Sequence, residues 1–480
     1  MLDGRLTRRG VLASTAAGVA LTAGCTGMIG SSENPLDPDR VDEGWPIEVG
    51  VLAPLTGPLE RIGRQMLESV TVAEAQVMAA DTDFWVDYQI KDTESDPDRT
   101  VEAAEEFLDD GIELFFGPAR DESAAQLLDE VLIPQSAVAV TPTAVRGWTD
   151  ANVQRSIYSF APIMPTVAQA LGRLPQLRRD TSLGIIYSDA EYGRSLQLRL
   201  EQDISARGIE ITNTVTIDPD EAEDLHTEEI LDEAVAGDPD SLIFAVDHGE
   251  GTQLLETYYN GDYDIKPNYL ADRLRDPDIP TQIDTELTNS FVVGIQPVYT
   301  RGGFAGRVED YEEGVIAELD VDLAAEILDR ERDGVNLTLD TDTELEPEEL
   351  LQPAHLVFDR LFDRFPTNQE LQSYDALVVL VLAGFQVGQG NITGERVGEA
   401  VPRVSDFPGH ARGVQSYGQR DWWEGLDAIG AGTVNAYQGA TGEINWIGLT
   451  GLREEVVMDA VRFAPESETG FEIERPFGVM

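Results

Sequence analysis

The stretch PIEVGVLAPLTGPLERIG, residues 46–63, decides the fold. An apolar, strand-like run over 46–55 enters a turn built from Thr56, Gly57 and Pro58. A helix follows, with Met66, Val70, Ala73 and Val77 on one face. Working outward, FWVDYQI (84–90) alternates as a strand should, and Asp96 with Pro97 then supplies an N-cap and a first helical position. That helix turns Val101, Ala104 and Leu108 inward and stops at Gly111. IELFFG (112–117) reads as a buried strand, 121–131 as a helix and AVAVTP (137–142) as another strand. Repeated strand–helix winding of this kind specifies a parallel sheet with helices on its faces.

The winding restarts after SFAPIMPT (159–166). SLGIIYSD (182–189) is a strand, 192–206 a helix, and strands recur at 209–217, 241–246 and 290–295. Helices are expected near 227–236, 249–260 and 276–288. Two successive units of one pattern, in the about 435 residues that follow residue 45, imply two α/β lobes. Residues 301–352 are heavily acidic; Asp340, Asp342 and Glu344 alternate there, but without the Gly and spacing of a calcium loop, so a solvated insertion is expected. SYDALVVLVLAGFQVG (373–388) reads as a buried helix, and 434–451 as turns and short strands.

The N-terminus fixes a compartment. Arg8 and Arg9 precede a short apolar run over 11–23, the layout of an export signal of the twin-arginine kind over residues 1–24. The run is shorter than the ~20 residues that cross a bilayer, and no second segment reads as long enough to do so. Thr22, Ala23 and Gly24 precede Cys25, the chain's one cysteine, in the manner of a lipoprotein processing site, so Cys25 is the expected lipid attachment point. An incidental cysteine behind an export signal is the alternative. Residues 25–45 are polar and turn-rich, a tether reaching on the order of 25 Å.

A net charge of -57 with only two lysines, Lys91 and Lys266, describes the solvent. At ~1 M salt the Debye length is about 3 Å and self-repulsion on this scale is largely screened. With 42% of residues hydrophobic and clearly periodic, the chain is not an acidic disordered protein. It lacks the basic patches that nucleic acid requires. Catalytic constellations are missing as well. His226, His248, His355 and His410 are scattered without metal-ligand spacing, and there is no G-x-S-x-G elbow or phosphate-cradling loop. No catalytic residue, metal or cofactor is expected.

Several segments in fixed order resemble the branched-chain amino-acid-type solute-binding proteins of ABC importers. They are VGVLAPLTGPLERIGRQM, KDTESDPDRTVEAAEEFL, FFGPARDESAAQLLDEV, VAVTPTA, LGIIYSDAEYGRSL, PDSLIFAVDHGEGTQLL, SYDALVVLVLAG and YQGATGEINW. The resemblance covers roughly 46–300 and 354–450. It implies a type I periplasmic-binding-protein fold: two Rossmann-like α/β lobes joined by three crossover strands, near 160–163, 296–299 and 436–440. One lobe would take 46–161 with 298–436, the other 162–297 with 437–480. It also implies a small polar solute (an amino acid, an amide or similar) held between the lobes, with permease and ATPase subunits as partners. A sensing or accessory lipoprotein, or a surface lipoprotein whose cleft no longer binds, are the alternatives.

The resemblance carries site residues over one by one. The first carboxylate-binding loop here reads Arg120-Asp121, where an arginine can take an anion or form a rim ion pair with Asp121 or Glu122. In the second loop, Thr143 stands in for a donor that Val145 lacks. Ile62 replaces an aromatic wall, and Tyr192 matches a cleft-facing tyrosine or packs on the strand end. Asp247 and His248 follow a strand where aromatics are usual, and Asp272 falls at the ammonium-binding acid.

Overall fold

The structure is a computed structural model. It describes residues 44–143, 155–218, 225–297 and 350–405 apart from 81, 288, 363 and 365, and beyond them 415–418, 422–426, 429, 435–446, 452–453, 456–464 and 471–478. The export signal, Cys25, the tether up to residue 43, Val145 and most of the acidic insertion lie outside the described residues, and Trp45, expected to end the tether, begins the first strand instead.

The first sheet contains β1 (Trp45–Ala53), β2 (Phe84–Asp92), β3 (Leu114–Phe116), β4 (Val138–Thr141) and β5 (Ile157–Ser159), all parallel, in the order β2-β1-β3-β4-β5. Helices α1 (Glu60–Ala79), α2 (Pro97–Asp109) and α3 (Asp121–Leu127) are its crossovers. As the sequence predicts, Asp96 caps α2 by accepting from the Arg99 N–H at 2.9 Å.

The second sheet takes β6 (Ser182–Ser188), β7 (Glu210–Ile217), β8 (Ser241–Ala245), β9 (Asn268–Leu270) and β10 (Ser290–Ile295) in parallel, with order β10-β9-β8-β6-β7. Its helices are α4 (Met164–Arg178), α5 (Glu191–Ala206), α6 (Thr227–Val235) and α7 (His248–Asn260). Instead of a helix over 276–288 there is one short turn of helix at Ile279–Gln282, consistent with the Pro at its start and Asp284 in the left-handed region just after it.

The chain then re-enters the first lobe as α8 (Ala354–Phe362), α9 (Asn368–Val387) and α10 (Gly394–Ser405). By length and composition α9 could cross a membrane, a point the sequence reading did not reach because it began that helix at 373. Asn368 to Gly384 are nearly all buried, however, and the helix is the core of the first lobe. A capping box starts it, with Thr367 and Glu370 satisfying each other's backbone N–H groups.

Strands β11 (Gln415–Gly418), β12 (Asn435–Gly439) and β13 (Gly442–Glu443) form a small separate sheet. Tyr437, Ala440, Ile444 and Trp446 sit in the first lobe's core, so the last passage between lobes comes after Trp446 and not at 436–440. The cause is Asp375 inside α9. Its carboxylate accepts from the N–H groups of Ala440 and Thr441 at 2.7 and 2.9 Å and from the Tyr437 hydroxyl at 2.9 Å. Finally, β14 (Val457–Phe463) and β15 (Phe471–Gly478) add antiparallel to β10 on the second sheet.

Candidate functional site

Each lobe presents its first strand–helix junction to the other. After β1, the loop is tied to the end of β2, where Asp92 accepts from the Leu55 N–H at 2.8 Å and the Thr56 hydroxyl at 2.7 Å. Helix α1 then packs so closely on the strand end that a Cβ on Gly63 would lie 2.0 Å from the Pro54 carbonyl oxygen. The second lobe repeats the device: a Cβ on Gly193 would lie 2.0 Å from the Ser188 carbonyl oxygen. Close approach demands glycine at both points. The result is that Arg61 and Ile62 on one side, and Tyr192 on the other, reach a shared cavity of about 450 Å³. In open parallel sheets this crevice, beyond the strand C-termini, is where ligands bind.

The second lobe's wall is charged and tightly organised. Arg273 stacks on the Tyr192 ring, 3.8 Å from its centroid, and its guanidinium pairs with Asp247. The Tyr192 hydroxyl donates to Asp272. Burial pushes the Asp272 carboxyl and the Tyr192 phenol up, whereas Asp247 and Asp121, against the opposing effect of burial, hold the Arg273 charge firmly in place. Behind them Glu250 completes the capping box of α7 and accepts from the Ser188 hydroxyl at 3.0 Å. Burial first, and the Asp247 charge second, push its carboxyl up to about 7.

Ion pairs cross the cleft. Arg61 of the first lobe donates through Nε to Asp276 at 2.8 Å and reaches Asp278 at 3.1 Å. Arg273 of the second lobe lies 3.4 Å from Asp121 of the first. His248 Nε2 lies 3.3 Å from Asp276. Burial opposes the charge on Asp276, but His248 and Arg61 outweigh it and hold the carboxyl at about 2. The lobes are therefore joined across the cavity by charge as well as by chain.

Of the residues singled out from sequence, Ile62, Thr143, Tyr192, Asp247, His248 and Asp272 all line this one cavity. Arg120 and Asp121 do not. Arg120 is turned to the rim, where it pairs with Glu122 at 2.7 Å and donates to the Ser95 carbonyl at 3.2 Å. Asp121 is buried and accepts from the Thr143 hydroxyl at 2.7 Å. This also occupies Thr143, whose own N–H donates to the Thr141 hydroxyl at 3.1 Å. The carboxylate-binding loops expected near 120–123 and 143 thus satisfy each other. Sequence reasoning missed Arg61, Gln65, Arg273, Arg275, Asp276 and Gln372, which also line the cavity. A signal existed for three of them: in a chain this short of basic residues, DRLRD (272–276) alternates both signs directly after a strand.

Residues 46–280 match the model of the family described as periplasmic binding protein. Over this span the chain is similar to the periplasmic binding protein family. Its members are extracytoplasmic solute binders and not enzymes. No curated protein matches the chain in sequence. Among solved structures, the fold is similar to a leucine-binding protein, LivK, of Thermotoga maritima (13% identity, TM-score 0.61, 90% of this chain and 99% of that one). It is equally similar to the branched-chain amino acid transporter substrate-binding protein LivJ of Streptococcus pneumoniae in complex with isoleucine (11%, 0.61, 90% and 99%). A solute-binding protein of an ABC transporter from R. palustris, in complex with benzoate, matches as well (11%, 0.61, 89% and 95%). At these identities the likeness establishes the two-lobed type I fold.

Proposed function

We propose that this protein is the solute-capturing component of an ABC importer, taking up a small solute with a polar head group and delivering it unchanged to permease and ATPase subunits. The observation that carries the reading is the cavity of about 450 Å³ bounded by both lobes, with ion pairs running from one wall to the other. A solute seated there touches both lobes, so its binding favours the closed arrangement, and that arrangement is what a membrane partner senses. The relatives in complex with isoleucine and benzoate support the size class. Export through a twin-arginine signal, lipid attachment at Cys25 and a tether of residues 25–43 keep the protein at the outer face of a membrane, in a saline medium that its charge of -57 suits.

The test is a thermal-shift and calorimetric panel of amino acids, amides, urea and aliphatic or aromatic carboxylates in molar salt. A capturing protein gives a melting temperature that rises with ligand concentration. A flat response across the panel from folded protein sinks the proposal and leaves a lipoprotein whose cleft no longer binds.

A further inference from the structure

The cavity contains donors that the protein itself does not use. Arg275 is only 6% exposed and lines the cavity, and its one hydrogen-bond partner among the described residues is Asp459, reached through Nη1. Gln65 and Gln372, 8% and 4% exposed, line the same cavity, and neither side chain has a hydrogen-bond partner among the described residues. Buried polar side chains are normally satisfied, so three such groups facing one space require a ligand or water there.

The three groups lie on elements that meet at the seam between the lobes. A Cβ on Gly294 would lie 2.3 Å from the Asn368 amide and 2.5 Å from Arg275 Cδ, so Asn368 and Arg275 meet over that glycine. Gln372 stands one turn further along the same face of α9. Gln65 belongs to α1, which is joined to α9 where the Ser69 hydroxyl donates to the Glu370 carbonyl at 3.1 Å. Asp459, wholly buried on β14, fixes the guanidinium from behind.

The remaining charges of the cavity are already engaged. Asp247 is paired with Arg273, Asp272 accepts from Tyr192, and Asp276 is paired with Arg61. Each carboxylate lining the cavity already has a donor, so an ammonium group would have to share one. Beside them the first lobe offers an apolar surface formed by Pro58, Leu59, Ile62 and Pro142, faced by Met164 of α4.

We infer that the ligand is a small monocarboxylic acid without an ammonium group, its carboxylate held by Arg275 with the Gln65 and Gln372 amides and its apolar body lying on the first-lobe wall. This rests on the solute-capture reading and narrows it. Arg275 presents its remaining N–H groups as a fork suited to a carboxylate, and Thr143, already engaged by Asp121, takes no part.

The experiment measures binding of isocaproate, leucine, isocaproamide, benzoate and benzamide to the protein in molar salt. One of the acids is expected to bind, with its amide weaker by about 10- to 100-fold, the worth of charge-assisted hydrogen bonds. Leucine is expected to bind more weakly than isocaproate because its ammonium would be desolvated against carboxylates that already have donors. Because Arg275→Gln alone strands Asp459, the double variant Arg275→Gln with Asp459→Asn is used, retaining a hydrogen-bonded pair without charge. It should lose acid affinity by about 10- to 100-fold. Leucine binding as tightly as isocaproate, an amide matching its acid, or unchanged acid affinity in the double variant overturns the inference while leaving solute capture intact. Silence from every compound in this and the wider panel overturns both.

Discussion

The two walls of the cavity are built on the same plan and finished differently. Both begin with a strand–helix junction closed by a glycine, Gly63 against Pro54 and Gly193 against Ser188. The first-lobe wall then continues with Ile62, prolines and carboxamides, and its one lining charge, Arg61, is drawn across to Asp276. The second-lobe wall continues with Tyr192, Asp247, Asp272, Arg273 and Asp276, a lattice of charges that already satisfies itself. A mostly neutral wall tolerates substitution and accommodates a ligand body. A charged, half-enclosed wall is rigid, because removing one member strands the others.

The largest consequence falls on Arg273. Arg273→Ala leaves Asp247 and the buried Asp121 without a shared cation and uncovers the Tyr192 ring. Loss of one partner from such a pair costs about 3–5 kcal/mol, to be read from urea unfolding. The matching change on the other wall, Ile62→Ala at a half-buried position, is expected to cost about 1 kcal/mol. Similar costs for the two variants would show that the walls do not differ in the way described. Arg273→Lys is not expected to rescue, since a point charge neither stacks on the ring nor bridges two carboxylates.

A pH dependence tests the second-lobe wall, because a strongly raised carboxyl lies behind it. Glu250 is pushed up to about 7 by burial and by Asp247. Its folded-state pKa lies above its unfolded value of 4.5, so between about 4.5 and 7 the folded protein holds a proton the unfolded chain has released. Stability from this group is therefore present at the acidic end and lost as pH rises through that window, by about 3 kcal/mol at most. Glu250→Gln keeps the bond from Ser188 and abolishes the titration. Its stability should decline less than the parent's across the window and exceed the parent's above pH 7. Parallel profiles for the two proteins would refute the assignment.

How much of this the sequence carried follows from range. The strand–helix order and the Asp96 cap were legible because period, capping and turn chemistry act within a few residues. So were six of the cavity residues, since they sit in strand ends and the junctions that follow them, whose place the winding dictates. What could not be read is pairing between distant residues. Arg275 acquires its role from Asp459, 184 residues away, and Arg61 from Asp276, 215 residues away. The short helix at 279–282 and the late passage between lobes were missed for the same reason, the second being governed by Asp375 reaching across to Thr441.

Arg120 is the smallest expected effect and the clearest control for the rest. It looks from sequence like an anion receptor at a ligand-binding loop, yet its guanidinium lies at the rim, paired with Glu122, with both side chains 37% exposed. An ion pair that wet contributes at most about 1 kcal/mol at low salt, and in molar salt it is screened to nothing measurable. Arg120→Ala should therefore unfold at the parent's urea concentration in molar salt and bind the parent's ligand within about twofold. A tenfold loss of affinity would move the anion site to the rim and away from Arg275. The two arginines have the same chemistry; what separates them is that Arg275 is enclosed and fixed by Asp459 with donors left over, while Arg120 competes with water and salt for every contact it makes.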